Sequence, residues 1–382
     1  MKGHLLAYLY RGTSLGILLL VLQIFLETIP VRAAEANPPW QVEWDKTMAA
    51  AEKEGKVMVY VGGGEYRKTI EQFQKAYPKI KLVTFAVARG PAIAKRLMAE
   101  RRAEKYVADV YMTGLGTHIQ VLYPGKAHAP LRPSLILPEV KDESKWLGGN
   151  HLYIYPEEGF SFVFEATVRH PIFYNTNLVK PDEVTSWSDL LNPKWKGKIV
   201  SYDPKIPGTA APILWYHYKN PSLGPEFIGK FYAGMEVTLS RNYRQLTDWL
   251  ATGKAAICLS CGRAARKAIK QGLPVARINH FMKEGSALTY GQGIISLIDR
   301  RPHPNAAKVF VNWLLSRKGQ MTLQEITARS GNPRNSLRTD ISKDTVPRED
   351  LPKKGVRYFK EGLKSAQERR EAVKILKKVM KK

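Results

Sequence analysis

Cys258 and Cys261, in the stretch Ile-Cys-Leu-Ser-Cys-Gly-Arg, are the two thiols of the 382-residue chain. A C-x-x-C leading into a helix can be a redox pair, half of a metal site or a small disulfide. No second C-x-x-C and no His-x-x-x-His completes a zinc set, so no metal is assigned, and a structural pair is preferred to redox chemistry. Gly208 and Thr209 follow Asp203-Pro204 and open a helix whose first amides await a partner; the helix dipole there favours an anion by about 0.3–1 kcal/mol. A simple threonine cap is the plainer account. Arg241 in Ser-Arg-Asn-Tyr-Arg-Gln and Arg263 after the cysteine pair add guanidinium forks that match carboxylate or phosphate oxygens two at a time, and Tyr243 adds a hydroxyl. Gly62-Gly63-Gly64 lacks the lysine and hydroxyl of a phosphate-cradling loop and does not fit G-x-G-x-x-G, so it reads as a turn or as a close approach of ligand to backbone. The eight histidines show no H-E-x-x-H spacing, and no G-x-S-x-G occurs. No enzyme is assigned, and a thiol-disulfide protein using Cys258 and Cys261 is the concrete rival.

The elements that must position these residues alternate. An apolar strand at 57–61, the glycine loop, an amphipathic helix ending before Pro78 and a strand at 81–86 form one β-α-β unit. A helix with Ile93, Leu97 and Met98 on one face precedes a third strand from Asp109. Lys-Ile-Val-Ser-Tyr-Asp and Ala-Ala-Ile-Cys-Leu-Ser read as later strands, each followed by a helix. This predicts an α/β protein with mixed, mostly parallel sheets and helices on both faces. Ligands of such sheets bind beyond the carboxyl ends of strands. The loops at 62–66, 88–91, 113–117, 203–209 and 260–263 are therefore the candidate site, with Gly63, Gly64, Glu65, Arg89, Thr113, Gly208, Thr209, Arg241, Tyr243 and Arg263 as its residues.

Lys2 and Arg11 precede an apolar run of 12 residues at 15–26, and Val31-Arg32-Ala33-Ala34 supplies small residues for cleavage. A membrane anchor needs about 20 apolar residues, so residues 1–33 are expected to be a signal peptide cleaved near Ala33. The first 33 residues hold three bases (Lys2, Arg11, Arg32) and one acid (Glu27), so the remainder keeps all but two of the chain's +26 charges. Outside the cytoplasm the partners expected of such an excess are anionic solutes, anionic lipid headgroups or nothing specific, rather than nucleic acid. The densest run, at 364–382, reads as a basic helix with a solvated face. No aromatic residue interleaves with its lysines, which argues against nucleic acid, and a polyanion-binding surface is its other reading.

The Trp187-Ser-Asp-Leu-Leu-Asn-Pro-Lys-Trp-Lys-Gly-Lys-Ile stretch with Asp203-Pro204 and Gly208-Thr209, Arg89-Gly90 with Ala108-Asp109-Val110, and Phe173-Tyr174-Asn175-Thr176-Asn177 together resemble the extracellular solute-binding proteins of ABC importers, in the ferric-ion and phosphonate branch. The resemblance spans about Trp44 to Phe359. It implies a two-lobed type II periplasmic-binding fold: residues 34–174 and 279–362 as the first lobe, 175–278 as the second, 363–382 as a basic tail. Two crossover strands, near 172–176 and 276–280, would form the hinge. It further implies a periplasmic monomer with no cofactor, partnered by a small anionic solute and an inner-membrane permease. Family members that hold ferric ion supply adjacent tyrosines, an acid and often a histidine. Here Cys261-Gly262-Arg263 stands where the tyrosines would be, and an arginine repels the cation. An organic or inorganic oxyanion is expected, with ferric ion as the alternative.

Overall fold

Short apolar runs and helical repeats alternate into two separate sheets. The computed structural model describes residues 37–87, 90–206 and 208–381; the expected leader and its cleavage point lie outside the described residues, as does Arg89. Helix α1 (Pro39–Glu54) leads into β1 (Lys56–Gly62), α2 (Gly64–Ala76) and β2 (Lys81–Val87), and α3 (Gly90–Arg102) precedes β3 (Val110–Thr113). Strand β1 runs parallel to both β2 and β3. Strands β4 (His128–Ala129), β5 (Leu152–Tyr155), β6 (Phe160–Val163) and β14 (Ile294–Ile298) complete the first sheet in the order β2-β1-β3-β14-β6-β5, with β4 against β14. Helices α7 (Pro304–Leu315) and α8 (Arg317–Arg329) pack on it. Valines at alternate positions of β1 (Val57, Val59, Val61) and Ile70 and Phe73 of α2 are fully buried with Ile294 and Phe310, which is what period-2 and period-3.6 patterns produce when they share one core.

The second sheet takes β8 (Ile172–Asn175), β9 (Ile199–Tyr202), β10 (Thr238–Ser240), β11 (Ile257–Leu259) and β12 (Val275–Arg277) in the order β10-β9-β11-β8-β12. Its helices are α4 (Ala211–Lys219), α5 (Tyr243–Ala251) and α6 (Gly262–Lys270). Both sheets keep parallel strands, β1 to β3 and β9 to β11, and insert antiparallel ones beside them.

Between the sheets run β7 (Thr167–Val168) and β13 (Ser286–Thr289), paired antiparallel with Leu288 opposite Val168. A third strand, β15 (Tyr358–Phe359), lies parallel to β13. The crossovers expected at 172–176 and 276–280 are thus displaced: Ile172–Asn175 pairs with β11 and β12 inside the second sheet. A four-residue apolar strand looks the same in sequence whether it crosses between lobes or lies within one, and all four residues of β8 are buried. Helix α9 (Ser365–Val379) also departs from its expected solvated face. Ala372 and Leu376, one turn apart, are fully buried against the second lobe, while Trp215 Nε1 donates to Glu368 at 2.7 Å and the Tyr218 hydroxyl to Glu371 at 2.7 Å. The lysines masked an apolar stripe that the helical spacing carries.

Candidate functional site

Register gathers one group of residues at an edge of the first sheet. Val61 pairs with Met112 and Thr113 with Ile294, which also pairs with Val163. The ends of β1, β3 and β6 and the start of β14 therefore meet. Gly63 caps α2 at φ 84°, a left-handed value natural to glycine. Glu65 Oε1 accepts from Asn332 Nδ2 at 2.8 Å and lies 3.5 Å from Arg334 Nη2. Arg334 Nη1 reaches Glu165 at 3.5 Å, and its guanidinium lies over the Tyr66 ring. The Tyr66 hydroxyl donates to the Glu165 carboxylate. Gly291, at φ 55°, admits this cluster, since a Cβ there would fall 2.4 Å from Glu165 Oε1. Burial pushes the Glu165 carboxyl up to about 7 against the opposing pull of Arg334. Thr113 Oγ1 is 2.6 Å from Thr117 Oγ1, so its hydroxyl is engaged within the lobe.

A second group sits at the matching edge of the other sheet, where Ser240 pairs with Tyr202 and Leu259 with both Ser201 and Ile172. The Tyr202 and Tyr243 rings stack at 4.0 Å. Gly208 fits against them because a Cβ would stand 2.4 Å from Tyr202 Cε1. Thr209 donates its hydroxyl to the Ser260 carbonyl at 2.8 Å and its amide to the Tyr243 hydroxyl at 3.3 Å. Here the expected helix start is corrected. Helix α4 begins at Ala211 with Ala210 as its cap, because Pro212, preset for a first turn, fixes the start there. Gly208 and Thr209 belong to the loop before it. Arg241 is 71% exposed and pairs with Asp203 at 3.3 Å, so its fork is already shared with a carboxylate. Arg263 opens α6, and its side chain lies outside the described residues.

Cys258 and Cys261 form a disulfide, and both are fully buried. The bridge closes around Ser260, whose φ of 59° is uncommon for a non-glycine residue. Ser260 N donates to the Pro171 carbonyl at 2.7 Å and its hydroxyl to the Thr209 carbonyl at 3.2 Å. The pair thus holds a tight turn at the site's edge, and its burial removes it from thiol exchange partners.

Sequence reading missed a buried arginine beside the second group. Arg169 Nη1 donates to the Thr209 carbonyl at 3.3 Å, while its buried Nε has no hydrogen-bond partner. Burial pulls its guanidinium pKa down; Glu361 opposes this, and Arg369 and Arg266 add to it. Glu165 and Arg169 flank β7 and are four residues apart. On extended backbone they share a face at roughly 13 Å separation. One crossing segment therefore carries an acid of the first group and a base of the second. Tyr202, Ser260, Asn332 and Arg334 also escaped notice; for Ser260 the signal was there, since it lies inside a strand-end loop, while Tyr66 was weighed with Glu65 only as an oxygen donor to ferric ion. Among the described residues no group of three or more His, Cys, Asp or Glu is placed to hold a metal. The positive charge between Glu65 and Glu165 is the protein's own Arg334.

This architecture, two sheets joined by the short crossing strands β7 and β13, is the two-lobed type II periplasmic-binding fold. Solved structures share it. Iron-bound HitA from Pseudomonas aeruginosa aligns at 18% identity and TM-score 0.58, over 85% of this chain and 99% of that one. The Trichodesmium IdiA/FutA protein in complex with iron and citrate aligns at 19% and 0.61, again over 85% and 99%. A Bordetella ferric binding protein aligns at 18% and 0.62, with the same coverage. The comparison with curated proteins returns no match. The chain belongs to the bacterial extracellular solute-binding proteins, whose family model matches residues 68–346. Members of that family bind solutes and are not enzymes. Among the described residues no helix is long and apolar enough to cross a membrane.

Proposed function

We propose that this protein captures a small anionic solute, a phosphonate, phosphate ester or carboxylate, in the gap between its lobes and hands it unaltered to the permease of an ABC importer. One observation carries the reading: Arg169, on the strand joining the lobes, keeps a buried Nε without a partner beside Thr209. A buried donor left unsatisfied costs about 1–3 kcal/mol, and an oxyanion removes that cost. The loop of Gly208 and Thr209 and the start of α4 lie against the same guanidinium and favour negative charge.

Ferric ion, which the solved relatives are named for binding, fits these residues less well. Burial and the neighbouring Tyr243 raise the Tyr202 pKa, opposing the phenolate that Fe(III) prefers. Arg169 and Arg241 add positive charge at the same edge.

The test is a thermal-shift and calorimetric screen of inorganic phosphate, methylphosphonate, a phosphate ester, simple carboxylates and ferric salts, on the protein and on Arg169→Gln. An oxyanion should stabilise the wild type, and R169Q should weaken its binding by roughly tenfold to a hundredfold. Stabilisation by ferric salts alone overturns the reading.

A further inference from the structure

We infer that the C-terminal helix is part of the binding site, with Arg369 as a second guanidinium beside Arg169, so that the solute's charged group is an oxyanion wide enough to meet two forks at once. This rests on the anion reading above and adds a residue from the far end of the chain to it. Trp215 pairs with Glu368 and Tyr218 with Glu371. Glu368 also accepts from Lys219 Nζ at 2.7 Å, so the first turns of α9 pack along the second half of α4. The Arg169 amide donates to the Ala287 carbonyl at 2.9 Å, and Ala287 pairs with Phe359, two residues before Glu361, the ion-pair partner of Arg369. The Tyr290 hydroxyl donates to the Glu361 carbonyl at 3.2 Å, anchoring the residues before α9 to the segment that follows β13.

Arg369 Nη2 pairs with Glu361, and its buried Nε has no hydrogen-bond partner, the same condition as Arg169 Nε. Glu361, Arg369 and Arg266 are the charged side chains that act on Arg169. Like charges brought together in a partly buried place repel, and an anion between them attracts both and offsets that repulsion. A phosphoryl or phosphonyl group presents three oxygens, enough for a donor from each arginine; a monocarboxylate presents two.

Inorganic phosphate and methylphosphonate are the probes, titrated calorimetrically into the full chain, Arg369→Gln and Glu361→Gln, with melting temperatures recorded for each. R369Q should weaken both probes at least about tenfold, the effect of losing one charge-assisted hydrogen bond. E361Q, which releases Arg369 from its competing carboxylate, should bind as tightly as wild type or more so. If Arg369 only braces Glu361, the two variants weaken binding alike, and that outcome overturns the inference; so does R369Q within twofold of wild type. Should R369Q fail to fold, Arg369→Lys keeps the charge without the fork and should lose affinity a few-fold; no loss overturns the inference. Wild type that binds neither probe, but binds a carboxylate, sinks this inference and leaves the anion reading standing. Wild type that binds no oxyanion sinks both.

Discussion

At the scale of single residues the candidate site is two charge clusters, with Glu165 and Arg169 on either side of β7 contributing one residue to each. Glu165 is a buried acid of the first cluster whose protonation the fold alters near neutral pH. Its pKa rises from 4.5 to about 7, so the folded protein holds a proton that the unfolded chain releases. That contribution to stability is fully present below about 4.5 and is lost as pH rises through about 7. Glu165→Gln keeps an acceptor for the Tyr66 hydroxyl and cannot ionise. The wild type should therefore lose stability relative to E165Q between pH 5 and 7.5 in parallel urea titrations; parallel pH profiles would refute the assignment. Residue-level legibility in the sequence was uneven. Glu65, Thr209 and Tyr243 were visible because each lies just after a strand. Glu165, Arg169 and Arg334 were not, because their meaning depends on chain segments far apart in sequence: Arg334 meets Glu65 across 269 positions, and no local pattern encodes that.

At the scale of elements, the longer strands and helices followed from periodicity, whereas short strands such as β4, β7 and β15 carry too few residues to show one. The β-α-β unit and the strands at 199–202 and 257–259 stand where apolar spacing put them. Two elements misled for physical reasons. β8 is apolar on both faces, so its place in the second sheet, rather than between lobes, is decided by its partners and not by its own residues. In α9 a high lysine content hid a buried stripe of Ala372 and Leu376; long basic side chains reach solvent from helices that are packed on one side. Helix α9 therefore contributes core as well as charge. Leu376→Ala should lower stability by about 2–5 kcal/mol in a urea titration, while a change on its outer face, Lys377→Ala, should stay within about 0.5 kcal/mol. Equal effects would place the helix on the surface after all.

At the scale of the whole molecule, two bodies joined by β7 and β13 can close only by bending those strands, and a solute touching both edges shifts the balance toward closure by its differential affinity. The expected signature is a smaller radius of gyration in solution scattering with phosphate present, with stabilisation of about 2.7 kcal/mol at a hundredfold excess over the dissociation constant. Binding without compaction would locate the solute on one lobe alone.

The docking of α9 bears on how the protein is made. Synthesis proceeds from the amino end, and the second lobe's interior lacks Ala372 and Leu376 until the last helix leaves the ribosome. The first lobe waits as well, since β14 sits in the middle of its sheet and follows the entire second lobe in sequence. Neither half can finish its interior during most of translation. Until those segments arrive a nascent chain keeps both interiors open, and neither lobe can reach its full stability.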